Sequence, residues 1–168
     1  MNKLSSPLFI VEGKTDTEKL RKIGLFCVII TNGLSVSRET LNYLKAVIKV
    51  RPVIALLDPD KPGSKIFQKL QKVVPQIQKI DLDSTYCVKR GKLGLAEASD
   101  EYLISLLKPY IFENNNEDLR RYPLLLNRWN SLDNEEKDRV RKKYSLGTVN
   151  NKTAVKRLLY LGVEPEDI

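Results

Sequence analysis

Residues 53–63 read VIALLDPDKPG: five apolar residues, two aspartates separated by one proline, then a run of turn formers. A short apolar run closed by turn residues reads as a buried strand. Pro59 restricts Asp58 to extended backbone, and residues two apart on an extended chain point to one face, so Asp58 and Asp60 are expected to project together. Two carboxylates a few Å apart repel unless a cation lies between them. The same residues also suit a plain turn.

Upstream, Leu8 to Val11 reads as another buried strand, after which Glu12-Gly13-Lys14 turns into a helix over about Thr15 to Ile23. Leu25 to Thr31 is a third apolar run, closed by Asn32-Gly33, and Ser37 suits the N-cap of a helix reaching about Val50. Downstream, Ser64 to Val74 carries apolar residues at helical spacing, Ile77 to Leu82 reads as a strand, and after a loop from about Asp83 to Gly94 Ser99 suits the cap of a short helix to about Lys108. Strands alternating with helices predict right-handed crossovers and an α/β fold with a mainly parallel sheet covered on both faces. Ligands of such sheets collect at the carboxyl ends of the strands, where Glu12 and Asp58 fall. If those two strands are neighbours, Glu12, Asp58 and Asp60 form a three-carboxylate cluster; otherwise Glu12 is a solvated strand-end residue.

The rest of the chain narrows the chemistry. Among 168 residues there is no histidine, which removes Ser-His-Asp and Cys-His catalysis and nearly every zinc site. With carboxylates as the good ligands, a hard ion such as magnesium or manganese is expected. Cys27 and Cys87 are too few for a disulfide framework and are expected to stay as buried thiols. The net charge of +8 suggests a polyanionic partner. No apolar run approaches membrane length and the first residues lack the pattern of a signal peptide, so a cytoplasmic protein is expected.

Three parts are expected along the chain: a catalytic α/β domain over 1–112, a polar linker over 113–118 (ENNNED) and a small basic helical domain over 119–168. The last part carries +4 of the net +8. It reads as three short helices, Pro123 to Ser131, Asp133 to Tyr144 and Lys152 to Leu161, the second opened by Asp133 with Glu136 three residues on. Such a segment is expected to bury little core and to spend its charge on a ligand.

The stretches VEGKTD (Val11 to Asp16) and LDPDKPGSKI (Leu57 to Ile66) resemble the two signatures of the Toprim domain of topoisomerases, primases and some nucleases. Thr31-Asn32-Gly33, the Pro-Gly after the aspartates, GLAEAS (Gly94 to Ser99) and NNKTAVKRLL (Asn150 to Leu159) further resemble the 5S ribosomal RNA maturase family, ribonuclease M-five. That resemblance covers almost the whole chain. It implies a magnesium-dependent endoribonuclease that cuts the 5S precursor in a double-helical region, with Glu12, Asp58 and Asp60 holding the metal. It also implies a 5S-binding ribosomal protein or the large ribosomal subunit as candidate partner, the chain acting as a monomer. One departure stands out: where the family reads Val-Glu-His-Ala, this chain has Leu95-Ala96-Glu97-Ala98, so Glu97 becomes a candidate substitute catalytic group.

Lys14, Lys61 and Lys65, beside the acids, are candidates for phosphate contacts, and Lys89-Arg90-Gly91-Lys92 suits a backbone grip that reads no bases. In the tail, Arg141, Lys142, Lys143, Lys152, Lys156 and Arg157 are candidates for RNA binding, while Trp129 and Tyr144 suit a helical core better than base stacking. Two alternatives remain at this point: a non-catalytic RNA-binding assembly factor, and a Toprim enzyme acting on DNA. Against the second, the chain has no zinc motif and no Gly-rich ATPase loop.

Overall fold

The computed structural model describes residues 4, 6–113 and 117–168. Strands β1 (Leu8–Val11), β2 (Val28–Ile30), β3 (Val53–Ala55) and β4 (Gln78–Lys79) form one parallel sheet in the order β2-β1-β3-β4. The connecting helices are α1 (Lys14–Lys22), α2 (Arg38–Val47) and α3 (Lys61–Val73). A small antiparallel hairpin follows, β5 (Val88–Lys89) with β6 (Lys92–Leu93), then α4 (Asp100–Glu113), α5 (Glu117–Ser131), α6 (Asn134–Lys143) and α7 (Asn151–Tyr160).

Side chains alternate across the sheet as extended backbone requires. Phe9, Val11, Ile54 and Leu56 point to one face and join Leu20 of α1 and Leu103 and Leu107 of α4. Leu8, Ile10, Val53, Ala55 and Leu57 point to the other, where Tyr43 and Leu44 of α2 and Ile66 and Leu70 of α3 cover them. Every strand of β1 and β3 is thus apolar on both sides, the signature of a parallel sheet sandwiched between helices.

Local signals set most of the boundaries. Ser37 accepts from the Thr40 N–H at 3.1 Å, capping α2. Asp133 and Glu136 close a reciprocal capping box at the start of α6, at 2.8 and 2.9 Å. Prolines were the misleading signal. α3 begins at Lys61 rather than Ser64, because Pro62 sits in its first turn, where the absent N–H costs nothing. α4 continues through Pro109 to Glu113 and α5 contains Pro123.

Residues 114–116 of the expected linker lie outside the described residues; Glu113 ends α4 and Glu117 begins α5. The expectation that the tail buries little core does not hold. Leu125 and Trp129 of α5, Val140 of α6 and Val155, Leu158 and Leu159 of α7 belong to the same apolar cluster as Leu8 and Ile10 of β1. Polar ties reinforce this packing. Tyr43 donates to the Arg157 carbonyl at 2.9 Å, and the buried Arg51 lies 3.6 Å from Asp118, whose Oδ2 also accepts from the Cys27 thiol. Cys27 and Cys87 are both buried free thiols. Among the described residues no helix is long and apolar enough to cross a membrane.

Candidate functional site

Strand β1 leads into Glu12, one residue past its end, and the chain leaving β3 reaches Asp58 through two further buried leucines. The two strands are direct parallel neighbours, with Leu8 opposite Val53 and Ile10 opposite Ala55, so their carboxyl ends open side by side. The chain passes from β1 to β2 on one side and then, through α2, crosses back over β1 to β3 on the other. The β1–β3 boundary is therefore where the winding reverses, the place where open α/β sheets bind ligands.

Glu12 Oε2 accepts from the Asp58 N–H at 2.8 Å, tying one acidic residue to the backbone of the next. Asp58 Oδ1 accepts from the Leu95 N–H at 2.7 Å. Asp60 caps α3, its Oδ1 accepting from the Gly63 N–H at 2.7 Å. The aspartates are presented differently from expectation. Asp60 N–H donates to the Asp58 carbonyl at 2.8 Å, so a tight turn after the strand, rather than extended strand backbone, sets their spacing.

Burial, the hydrogen-bond contact with Asp58 and the charges of Asp58 and Asp60 push Glu12 up to about 7. A neighbouring cation would remove that penalty by stabilising the charged form. A fourth carboxylate, Asp16 of α1, completes the acidic floor and was not singled out from the sequence, although it stands four residues after Glu12 in VEGKTD. Asp16 is 7 % exposed and accepts from the Gly13 N–H at 3.0 Å. Its pKa is raised, first by burial and then by the charge of Asp58. Among the described residues no group of three or more Asp, Glu or Cys side chains is already gathered closely enough to hold a metal ion.

Two glycines permit this crowding. A Cβ on Gly63 would collide with the Asp58 carbonyl oxygen, and one on Gly94 would stand 3.1–3.2 Å from the Asp58 carboxylate. Gly94 has extended backbone, φ 165°, so its requirement is space and not conformation. We expect Gly94→Ala to push Asp58 off the Leu95 N–H, lowering stability by about 1 kcal/mol, the value of one hydrogen bond. Thermal melts of the two proteins check this; an unchanged melting temperature would show that the loop absorbs the methyl group.

The cations around the site divide into free and engaged. Lys14, Lys61 and Lys65 are exposed on the first turns of α1 and α3, beside the acids. Lys89, Arg90 and Lys92 are exposed at the tip of the β5–β6 hairpin, whose second strand runs directly into Gly94. Glu97 is half-buried in a 3-10 turn over Leu95–Glu97, and no hydrogen bond or ion pair joins its carboxylate to another described residue. In the tail, Lys142, Lys143 and Lys152 are exposed and Lys156 is half-buried. Lys143 also donates to the Asp167 carbonyl at 3.0 Å. Arg141 donates to the Val149 carbonyl at 2.6 Å and lies over the Trp129 ring, which is fully buried as expected of a core residue.

Arg157 is the least exposed of the expected RNA-binding cations. It is 7 % exposed, donates to the Leu146 carbonyl at 2.6 Å and rests on the Tyr43 ring at 4.7 Å. These contacts turn most of the side chain inward and leave only a small part of it at the groove that α7 lines.

Comparison with known proteins agrees with this geometry. Residues 7–86 match the Toprim domain family. A small Toprim domain protein from Bacillus stearothermophilus shares the fold, with a TM-score of 0.51 and 24% identity over 62% of this chain and 85% of that one. Ribonuclease M5 of Mycoplasma pneumoniae is 36% identical over 107 residues, 60% of this chain and only 57% of that protein. Ribonuclease M5 of Mycoplasma genitalium is 32% identical over 167 residues, 96% of this chain and 91% of that protein. That of Borreliella burgdorferi is 29% identical over 172 residues, 96% of this chain and 90% of that protein. With Toprim signatures seated at the β1–β3 boundary and a relative matched over nearly its whole length, the chain belongs to the ribonuclease M5 family.

Proposed function

We propose that the chain is a magnesium-dependent endoribonuclease that matures 5S ribosomal RNA by cutting its precursor in a double-helical region, acting as a cytoplasmic monomer. Membership of the ribonuclease M5 family supports the endoribonuclease part of this reading. The observation that supports the metal dependence is the placement of Glu12, Asp58 and Asp60 at the carboxyl ends of two neighbouring strands.

These residues fit a divalent ion by donor chemistry. All are hard oxygen donors, and burial, with the aspartates beside it, holds Glu12 with its charge disfavoured. Magnesium is usually bound through one or two carboxylates, with water and substrate phosphate completing its shell, so an open set suits it better than a cage. Manganese is the alternative ion. Bound by Glu12, Asp58 and Asp60, the ion would supply an oriented water and positive charge at the phosphoryl oxygens.

The chain's own groups do the positioning. The Leu95 and Gly63 N–H groups fix Asp58 and Asp60, so little reorganisation is needed when substrate arrives. Lys14, Lys61 and Lys65 stand where phosphates next to the scissile bond would lie. Lys89, Arg90 and Lys92 extend the grip along the backbone without reading bases. The 5S precursor is the substrate of this reading, with a 5S-binding ribosomal protein or the large subunit as the partner that shapes it.

The test is incubation with 5S precursor RNA in magnesium, in manganese and in chelator. Cleavage in either metal and none in chelator is expected; binding without cleavage in every buffer would overturn the enzyme reading in favour of a non-catalytic RNA-binding factor. That second reading rests on Ala96-Glu97 where the family has Glu-His. Glu97→Ala is expected to lower the cleavage rate markedly with an unchanged melting temperature. A rate within about twofold of wild type, roughly 0.4 kcal/mol of barrier, would remove Glu97 from the catalytic set.

A further inference from the structure

A second feature lies beside the carboxylates: a groove of about 830 Å³ between α1 and α7, floored by the edge strand β2. Tyr160 fastens α7 to the strand next to it, its hydroxyl donating to the Phe26 carbonyl at 3.1 Å. One wall carries Lys14 and Arg21, the other Lys156, and the mouth is lined by Asn32, Ser37 and Asn150. We propose that this groove binds the phosphodiester backbone of one RNA strand, gripped by Arg21 and Lys156 and led past Lys14 to the carboxylate site. The proposal rests on the reading above for the identity of the polyanion.

Charge is the first argument. Cations on the other side of α1 are engaged within the protein: Lys19 and Lys22 share Asp100, at 2.9 and 2.7 Å. Lys14, Arg21 and Lys156 make no ion pair with any described residue. Lys156 is half-buried, and burial together with the charges of Arg21 and Lys152 depresses its pKa. Folding thus brings like charges together on the groove walls without compensation, which a bound anion would supply. The groove's own acids offset this only in part: Glu39 is committed to the Thr148 N–H and hydroxyl, each at 2.8 Å, and Glu18, exposed and in no ion pair with a described cation, leaves the lining's cations in excess.

Shape is the second. From Lys14 to Arg21 the helix rises about 10 Å, enough for the two cations to meet phosphates a few nucleotides apart on one strand. Lys14 follows Glu12 by two residues, so a strand laid along α1 arrives at the acids. The lining offers hydroxyls and amides, and its one aromatic, Tyr160, is 4 % exposed and gives no stacking surface. Recognition there would be of backbone and not of sequence.

The experiment measures affinity of the full chain for a labelled RNA duplex in metal-free buffer across a salt series. The Arg21→Glu/Lys156→Glu variant is expected to bind at least tenfold more weakly, with a slope of log affinity against log salt flatter by nearly two units. Lys45→Glu/Lys49→Glu changes the charge equally on exposed lysines outside the groove and is the control. Lys156→Arg should retain affinity, and Arg21→Glu alone serves if melting shows the double variant unfolded. Wild-type affinity and slope in the groove variants, or an equal loss in the control, would overturn the proposal. If wild type fails to cleave while the groove variants still lose affinity, the groove stands and the 5S maturation reading falls.

Discussion

Removal of residues 119–168 is expected to abolish cooperative folding of what remains, although the chain pattern alone suggested a self-sufficient domain over 1–112. Twelve buried apolar side chains of the tail, from Leu125 to Val163, lie in the cluster that covers one face of the sheet. Fully burying a large apolar side chain contributes about 1.5–3 kcal/mol, an upper estimate because the unfolded chain is partly collapsed. A dozen of them exceed the whole stability of an ordinary domain, about 5–15 kcal/mol. The truncated chain would also uncover Tyr43, whose hydroxyl would lose its acceptor, the Arg157 carbonyl. Urea titration followed by circular dichroism checks this: a broad, non-cooperative transition is expected. A sharp transition with the full chain's midpoint would show that the tail is a dispensable appendage.

The second large effect concerns Asp58 and Asp60, and the structure dictates which substitutions separate catalysis from folding. Asp60 caps α3, so Asp60→Ala would remove a cap worth about 1 kcal/mol along with the charge. Asparagine caps as well as aspartate does, so Asp60→Asn removes only the negative charge. Asp58→Asn similarly keeps an acceptor for the Leu95 N–H. Each is expected to lose at least about a hundredfold in cleavage rate, roughly 2.7 kcal/mol of barrier. Melting temperature should hold, and RNA affinity should stay level or rise slightly as negative charge leaves the site. Wild-type turnover in either variant at saturating magnesium would end the metal-ligand reading.

The features legible in the chain were those whose partners lie a few residues away. Ser37 with Thr40 and Asp133 with Glu136 are contacts three residues apart, within reach of residue type alone. Pro62, Pro109 and Pro123 misled for a related reason. A proline's local cost, up to about 3 kcal/mol in a helix interior, is readable, but the tertiary packing that outweighs it is not. Asp16 went unremarked because a helix-start acid looks like ordinary capping until its burial beneath Asp58 is seen.

By itself the sequence determined the strand and helix alternation, the acidic residues at two strand ends, the absence of imidazole chemistry and the basic balance, because periodicity, residue type and net charge are properties of the chain order. Tertiary structure alone decided that β1 and β3 are neighbours, which is what brings Glu12 within 2.8 Å of the Asp58 N–H. It alone placed Gly94 and Leu95, 36 and more residues further along, against Asp58. It also turned most of Arg157 inward while leaving Lys156 half-exposed, although both line the groove. Adjacent residues on a helix point about 100° apart, and which of them meets water depends on the surface the helix packs against. For α7 that surface is a sheet built from residues more than a hundred positions earlier, and no local pattern carries that information.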